Sequence, residues 1–145
     1  MEKIADIWYR NASGGCGGSS DRTAHYHHSR YHFLNLHALF NGHGTCEIRG
    51  YNSTLHAGKV KTYIQLSLAM SHQALIQKRA SPTVTQTDNP KYTFRTYLLR
   101  LGLIGDEFKT ARQHLLEPLE GNIAWRHPED ALKQREALKM RRRRR

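Results

Sequence analysis

Glu47 and Arg49 stand two positions apart in residues 45–51, a stretch that alternates polar and apolar side chains. Successive side chains of an extended chain point to opposite faces, so these two share one face. Cys46, Ile48 and Gly50 take the other. A carboxylate can ligate Mg²⁺, and a guanidinium can grip a phosphate through two parallel N–H donors. The pair therefore suits nucleotide chemistry. It equally suits a plain exposed salt pair worth less than about 1 kcal/mol. The pattern alone leaves both readings open.

Two strands and a turn must hold that face. Residues 31–40 read as the preceding strand, with Phe33, Asn35, His37 and Leu39 on one side and His32, Leu34, Leu36 and Ala38 on the other. Neither side is purely polar, as expected of a strand covered on both faces or lining a site. Asn41-Gly42-His43-Gly44 is a turn of the kind that joins antiparallel strands, because Asn and Gly tolerate positive φ. Residues 56–79 follow as the longest helix, capped by Ser53 or Thr54. Its core stripe is Ala57, Val60, Ile64, Leu68 and Leu75, widened by Leu66, Met70 and Ile76.

Upstream, Ile4, Ile7 and Trp8 mark one face of a short helix over residues 1–10. Residues 11–21 are too rich in Gly and Ser for a regular element. They read as a flexible linker, or as a phosphate loop without the Gly-Lys-Ser/Thr ending of a Walker motif. His25, His27, His28, His32 and His37 follow, and His25 and His27 share a face as two zinc ligands would. No carboxylate or cysteine completes a set, so surface and hydrogen-bonding imidazoles are the expectation. Downstream, residues 80–90 read as an exposed loop. Residues 92–101 form a helix with Phe94, Tyr97, Leu98 and Leu101 inward, ended by Gly102-Leu103-Ile104-Gly105. Asp106 would cap a second helix carrying Phe108, Ala111, Leu115 and Leu119, stopped by Pro118 and Gly121. Trp125 is expected against these helices, and residues 128–140 form a last, highly charged helix.

The 145 residues carry 23 basic and 12 acidic side chains, a net charge of +11, with ten His. Five arginines close the chain at 141–145, a run that reads as a disordered, solvated tail favouring polyanions. Cys16 and Cys46 fit neither a disulfide framework nor a CxxC metal site. No run reaches the roughly 18 apolar residues of a membrane span. Nothing at the N-terminus reads as a signal peptide, so the expected compartment is the cytoplasm.

Five blocks carry a resemblance. They are Ser-Arg-Tyr-His-x-Leu-Asn-Leu-His at 29–37, Thr-x-Glu-x-Arg at 45–49 and Asn-x-Thr-x-His-Ala-Gly-x-x-Lys-x-Tyr-Ile-Gln-Leu at 52–66. Then come Lys-Tyr-Thr-Phe-Arg-Thr-x-Leu-Leu-Arg-Leu-Gly-Leu at 91–103 and Glu-Phe-Lys-Thr-Ala-Arg at 107–112. In order and spacing, residues 29–128 resemble the C-terminal half of the amidoligase family. That family belongs to the ATP-dependent carboxylate–amine ligases, with a glutamine synthetase-like fold, and is common on bacterial mobile elements. The resemblance implies an acidic metal ligand at Glu47 and a phosphate contact at Arg49, with Arg30, Tyr31, Asn35 and Asn52 facing nucleotide or substrate. It implies ATP and Mg²⁺ as cofactors. The family's opening Gly-Val-Glu-Ile-Glu-like strand and its His-x-His-x strand have no counterpart here. A partial domain, inactive alone and completed by a homodimer or by a separate N-terminal-half chain, is the expectation.

The fold expected is α+β. A small antiparallel hairpin has the long helix packed on it and a C-terminal helical hairpin beside it, as a partial glutamine synthetase-like domain over residues 1–140. Residues 11–28 form its Gly/Ser/His-rich loop, and residues 141–145 the tail. The alternative function is a basic mobile-element protein that binds nucleic acid or a nuclease ribonucleoprotein, in the manner of a counter-defence, anti-CRISPR protein. Its contacts would be Arg95, Arg100, Lys109 and Arg112 on adjoining helices, with Arg141, Arg142 and Arg143 in the tail. A helix, a short Gly turn and a helix also suit a DNA reader. Most such hairpins are only packing units.

Overall fold

A computed structural model describes residues 2–13 and 24–143. Among them the chain is α+β and mostly helical, with six α-helices and one two-stranded antiparallel sheet. It divides into two compact units, Met1–Ser53 and Thr54–Arg145. No helix of the described residues is long and apolar enough to cross a membrane. The glycine-rich stretch 14–23 lies outside the described residues, and with it Cys16 and the phosphate-loop reading.

In the first unit, α1 (Glu2–Ser13) takes in three residues that the sequence assigned to a loop. Its buried face is Ala5 and Tyr9, one turn apart, rather than the expected Ile4, Ile7 and Trp8. Ile4 and Ile7 are exposed, and with Trp8 and His32 they line an open recess. Tyr9 wins the interior because its hydroxyl finds a partner there and its ring meets three others edge-on or tilted. Those are His27 at 5.0 Å, His37 at 5.9 Å and Phe40 at 6.0 Å.

The two strands are far shorter than the alternation predicts. β1 is Leu34–Asn35 and β2 is Glu47–Ile48, paired antiparallel with Leu34 opposite Ile48 and Asn35 opposite Glu47. One further bond, Arg49 N–H to the Phe33 carbonyl at 2.7 Å, prolongs the ladder. A 3₁₀ turn, His28–Tyr31, precedes β1, and a single helical turn, α2 (His37–Phe40), follows it. The reason is local. The Asn35 side-chain oxygen accepts the His37 N–H at 2.9 Å, which turns the backbone out of the extended form. The Asn-Gly-His-Gly turn is present, with Gly42 at φ +90° and Gly44 at φ +67°. Past β2, the Phe33 ring fills the space that any side chain at Gly50 would need.

In the second unit, α3 (Ala57–Ile76) packs on α5 (Lys109–Leu116), as does α4 (Pro90–Arg100). Within this unit the long helix therefore packs helix on helix. Of the expected stripe, Leu66 is buried, whereas Val60, Ile64, Leu68, Leu75 and Ile76 are exposed, and Thr62, outside the stripe, is buried beside Leu66. The buried face is the small one. The Thr62 hydroxyl folds back onto the Gly58 carbonyl at 2.7 Å, and a Cβ at Gly58 would stand 3.0 Å from His114 Nε2. That close approach lies at Gly58, on the face that also carries the buried Thr62 and Leu66. Leu98, Leu101, Leu103, Ala111 and Leu116 complete the core.

The caps also differ from expectation. His56 caps α3 through Nδ1, which accepts the Lys59 N–H at 3.3 Å, while Thr54 accepts the N–H of His56. Asn89 caps α4 ahead of Pro90 at its first turn. Asp106 caps nothing: Gly105, at φ +87°, leads into a 3₁₀ turn, Asp106–Phe108, that runs directly into α5. α6 (Pro128–Arg143) keeps helical geometry through three of the five terminal arginines.

Candidate functional site

The face foreseen around Glu47 and Arg49 forms in the first unit. Strand pairing sets Asn35 opposite Glu47, and the Asn35 amide donates to Glu47 Oε2 at 2.9 Å. Arg49 Nη1 lies 3.3 Å from both carboxylate oxygens. The Glu47 side chain is 53% exposed and that of Arg49 29%, so the pair is wet on one side. The Asn35 hydrogen bond is the main cause holding the Glu47 carboxyl below the usual carboxylate range. Partial desolvation opposes it, and the charges of Arg49 and then Arg30 reinforce it.

Arg30 and Tyr31 enter from the 3₁₀ turn. The Arg30 guanidinium lies 4.6 Å from the centroid of Tyr26 and 6.0 Å from that of Tyr31, and the Arg49 guanidinium lies 5.8 Å from that of Tyr31. Tyr31 is 75% exposed. Four of the six residues assigned to nucleotide and metal, Arg30, Tyr31, Glu47 and Arg49, therefore meet at one exposed patch, with Asn35 buried beneath it. Asn52 is exposed on the segment after β2 and forms no hydrogen bond with the patch.

Below the patch lies a buried polar core that the sequence reading missed. His37 Nε2 contacts the Ala24 carbonyl at 2.7 Å, and Nδ1 contacts the Tyr9 hydroxyl at 2.8 Å. A carbonyl can only accept, so the neutral ring carries its proton on Nε2 and receives the Tyr9 O–H on Nδ1. His27 stacks on His37 at 5.9 Å. Its Nδ1 accepts the Ser29 N–H at 3.2 Å and so also takes the Ser29 hydroxyl at 2.9 Å. Ser29 and Tyr9 are almost fully buried, which makes this core a support and not a reactive dyad. Asn35 joins core to patch, since one side chain serves both the His37 amide and Glu47. The available signal was the density of His and Tyr between 25 and 37. Tyr9, 28 residues from its partner, gave none.

The imidazoles near residue 25 are hydrogen-bonding or exposed. Among the described residues no three His, Cys, Asp or Glu side chains gather as a metal site. Mg²⁺ that arrives with a nucleotide needs only one or two protein carboxylates beside phosphate and water oxygens. Glu47, held ionised, meets that smaller demand.

The residues assigned to nucleic acid all lie in the second unit. Arg95 and Arg112 line one groove of the second unit, with Lys91 and Glu117. Arg112 donates to the Leu103 carbonyl at 2.8 Å, fastening the turn between α4 and α5. Arg100 lines a different cleft, with Arg126. Lys109, Arg141, Arg142 and Arg143 are exposed.

Residues 1–71 match the family model described as "Putative amidoligase enzyme". No curated protein and no solved structure matches the chain. The match takes in the blocks at 29–37 and 45–49 and all of the block at 52–66. It reaches back to residue 1, before the resemblance began, and stops short of the blocks at 91–103 and 107–112. Over residues 1–71, just under half its length, the chain is similar to the amidoligase family, and the patch built on Glu47 and Arg49 falls inside that match.

Proposed function

We propose that the first unit handles the nucleotide phosphates of an ATP-dependent carboxylate–amine ligase. The observation that carries this reading is the convergence of two guanidinium groups and one ionised carboxylate around the exposed Tyr31 ring, within the family match. In such a reaction a substrate carboxylate oxygen takes the γ-phosphoryl group as ADP leaves. An amine then attacks the acyl carbon, inorganic phosphate departs and the amine loses a proton.

Arg49 and Arg30 neutralise charge on the phosphoryl oxygens. Glu47 orients Arg49 and offers one carboxylate to the nucleotide's metal. Mg²⁺, when bound, screens charge between phosphates. Tyr31 gives an exposed aromatic surface for the base, with the Arg30 and Arg49 guanidinium groups 6.0 and 5.8 Å from its centroid. With one carboxylate in this patch, the chain binds Mg²⁺-ATP and does not complete catalysis alone; a second copy or a separate chain supplies the remaining ligands.

Calorimetry tests this. Wild-type protein is expected to bind Mg²⁺-ATP with measurable heat, and Arg49→Ala and Glu47→Ala each to weaken it about tenfold or more. Absence of heat from the wild type rejects the reading.

A second reading, binding to nucleic acid or a nuclease ribonucleoprotein as a counter-defence protein would, draws on the charge distribution. Thr54–Arg145 carries 18 basic and 8 acidic side chains, net +10, against five and four, net +1, in Met1–Ser53. The positive charge thus falls almost wholly outside the unit that holds the nucleotide patch.

A further inference from the structure

A cleft in the second unit, about 430 Å³ in volume, opens between residues 85–88, α4 and residues 126–127. That size lies within the roughly 300–1,000 Å³ of small-ligand sites. We propose that it binds a small phosphorylated sugar, a phosphate monoester on a polyhydroxyl body.

The anion follows from the arginines. Arg100, at the end of α4, and Arg126 both line the cleft, and neither makes an ion pair among the described residues. His127 stands beside them. Two guanidinium groups with no carboxylate partner, on the walls of one concavity, select a doubly charged oxyanion. The hydroxylated body follows from the rest of the lining. Thr87 and Thr93 present linked hydroxyls, Oγ1 to Oγ1 at 2.7 Å, and Asp88 offers a carboxylate that can accept from ligand hydroxyls. The Tyr92 and Tyr97 rings supply apolar wall for the carbon skeleton.

The cleft is braced rather than incidental. Asn89, 1% exposed, accepts the Tyr92 N–H on Oδ1 at 3.1 Å and donates through Nδ2 to the Asn122 and Trp125 carbonyls. Its own N–H goes to Thr87 Oγ1 at 3.1 Å. One buried residue therefore ties the 85–88 wall through its backbone N–H, and the start of α4 and the segment that delivers Arg126 and His127 through its side chain. Gly121, at φ +101°, makes this fit, because the Asn89 amide occupies the space of a Cβ there. Nothing in this site depends on Glu47 or Arg49.

The full chain, titrated with ribose 5-phosphate, inorganic phosphate and ribose and followed by calorimetry, tests it. Ribose 5-phosphate is expected to bind, inorganic phosphate to bind more weakly and ribose not at all. Arg100→Ala and Arg126→Ala should each weaken ribose 5-phosphate binding about tenfold or more, and Glu47→Ala should leave it unchanged. Both arginines are exposed, so these variants should keep the wild-type thermal melt. No binding of ribose 5-phosphate, or an affinity unaltered in the double arginine variant, overturns the site. Equal affinity for inorganic phosphate overturns the sugar assignment.

Discussion

Asn35 does two jobs at one position. Its oxygen turns the chain into α2, and its amide holds Glu47. Asn35→Ala is therefore expected to raise the Glu47 carboxyl toward the ordinary range, read by carboxyl carbon NMR against pH. The sign for stability follows from the lowered value in the folded protein. Glu47's contribution is fully present above the unfolded carboxylate range and is lost as pH falls through the lower, folded value. Glu47→Gln should remove that part of the acid dependence. Deeper in the unit, Tyr9→Phe leaves His37 Nδ1 without its donor, at a cost of about 1–3 kcal/mol in chemical denaturation. The shared face of Glu47 and Arg49 was legible from alternation, because period two survives even in a two-residue strand. The Tyr9–His37 bond was not legible, since no local pattern links positions 28 residues apart.

Among the elements, α3 shows where periodicity misleads. An apolar stripe announces a face that can be buried, and close helix approach decides which face is. Gly58 and Thr62 admit α5; the bulkier Val60 and Ile64 do not. Leu66→Ala is expected to cost about 2–5 kcal/mol. Ile64→Ala and Leu68→Ala should each stay near ±0.5 kcal/mol, the range of surface changes. Reversed costs in thermal or urea melts would place Ile64 and Leu68 in the core instead. The strands shrank for a similar reason. Residues 31–40 alternate well enough, but Asn35 offers the backbone a side-chain bond that competes with the ladder. The helices were legible in existence and order because their apolar spacing is long. Their caps were not, since His56 as a cap and Gly105 as a 3₁₀ entry lie outside the usual Ser, Thr, Asp and Asn preference.

At the scale of the whole molecule, composition gave the net charge but not its distribution. No Pro- or Gly-rich linker marks Ser53–Thr54, so the boundary between a nearly neutral unit and a strongly basic one is silent in the sequence. Where the second unit binds polyanions, deleting residues 141–145 should lower affinity for DNA and flatten its dependence on salt, because fewer counterions are released. An unchanged slope in electrophoretic shifts at two salt levels excludes those arginines as contacts. The family match points the other way, to the nearly neutral unit and its patch of Arg30, Tyr31, Glu47 and Arg49. The most direct measurement is an NMR titration of the full chain with Mg²⁺-ATP, observing the Tyr31 ring and the Arg30 and Arg49 guanidinium signals. Saturable shifts at all three, lost in Arg49→Ala, are the predicted result. Signals at Tyr31 and Arg49 that stay still at millimolar nucleotide contradict a triphosphate site there, whatever moves elsewhere in the chain.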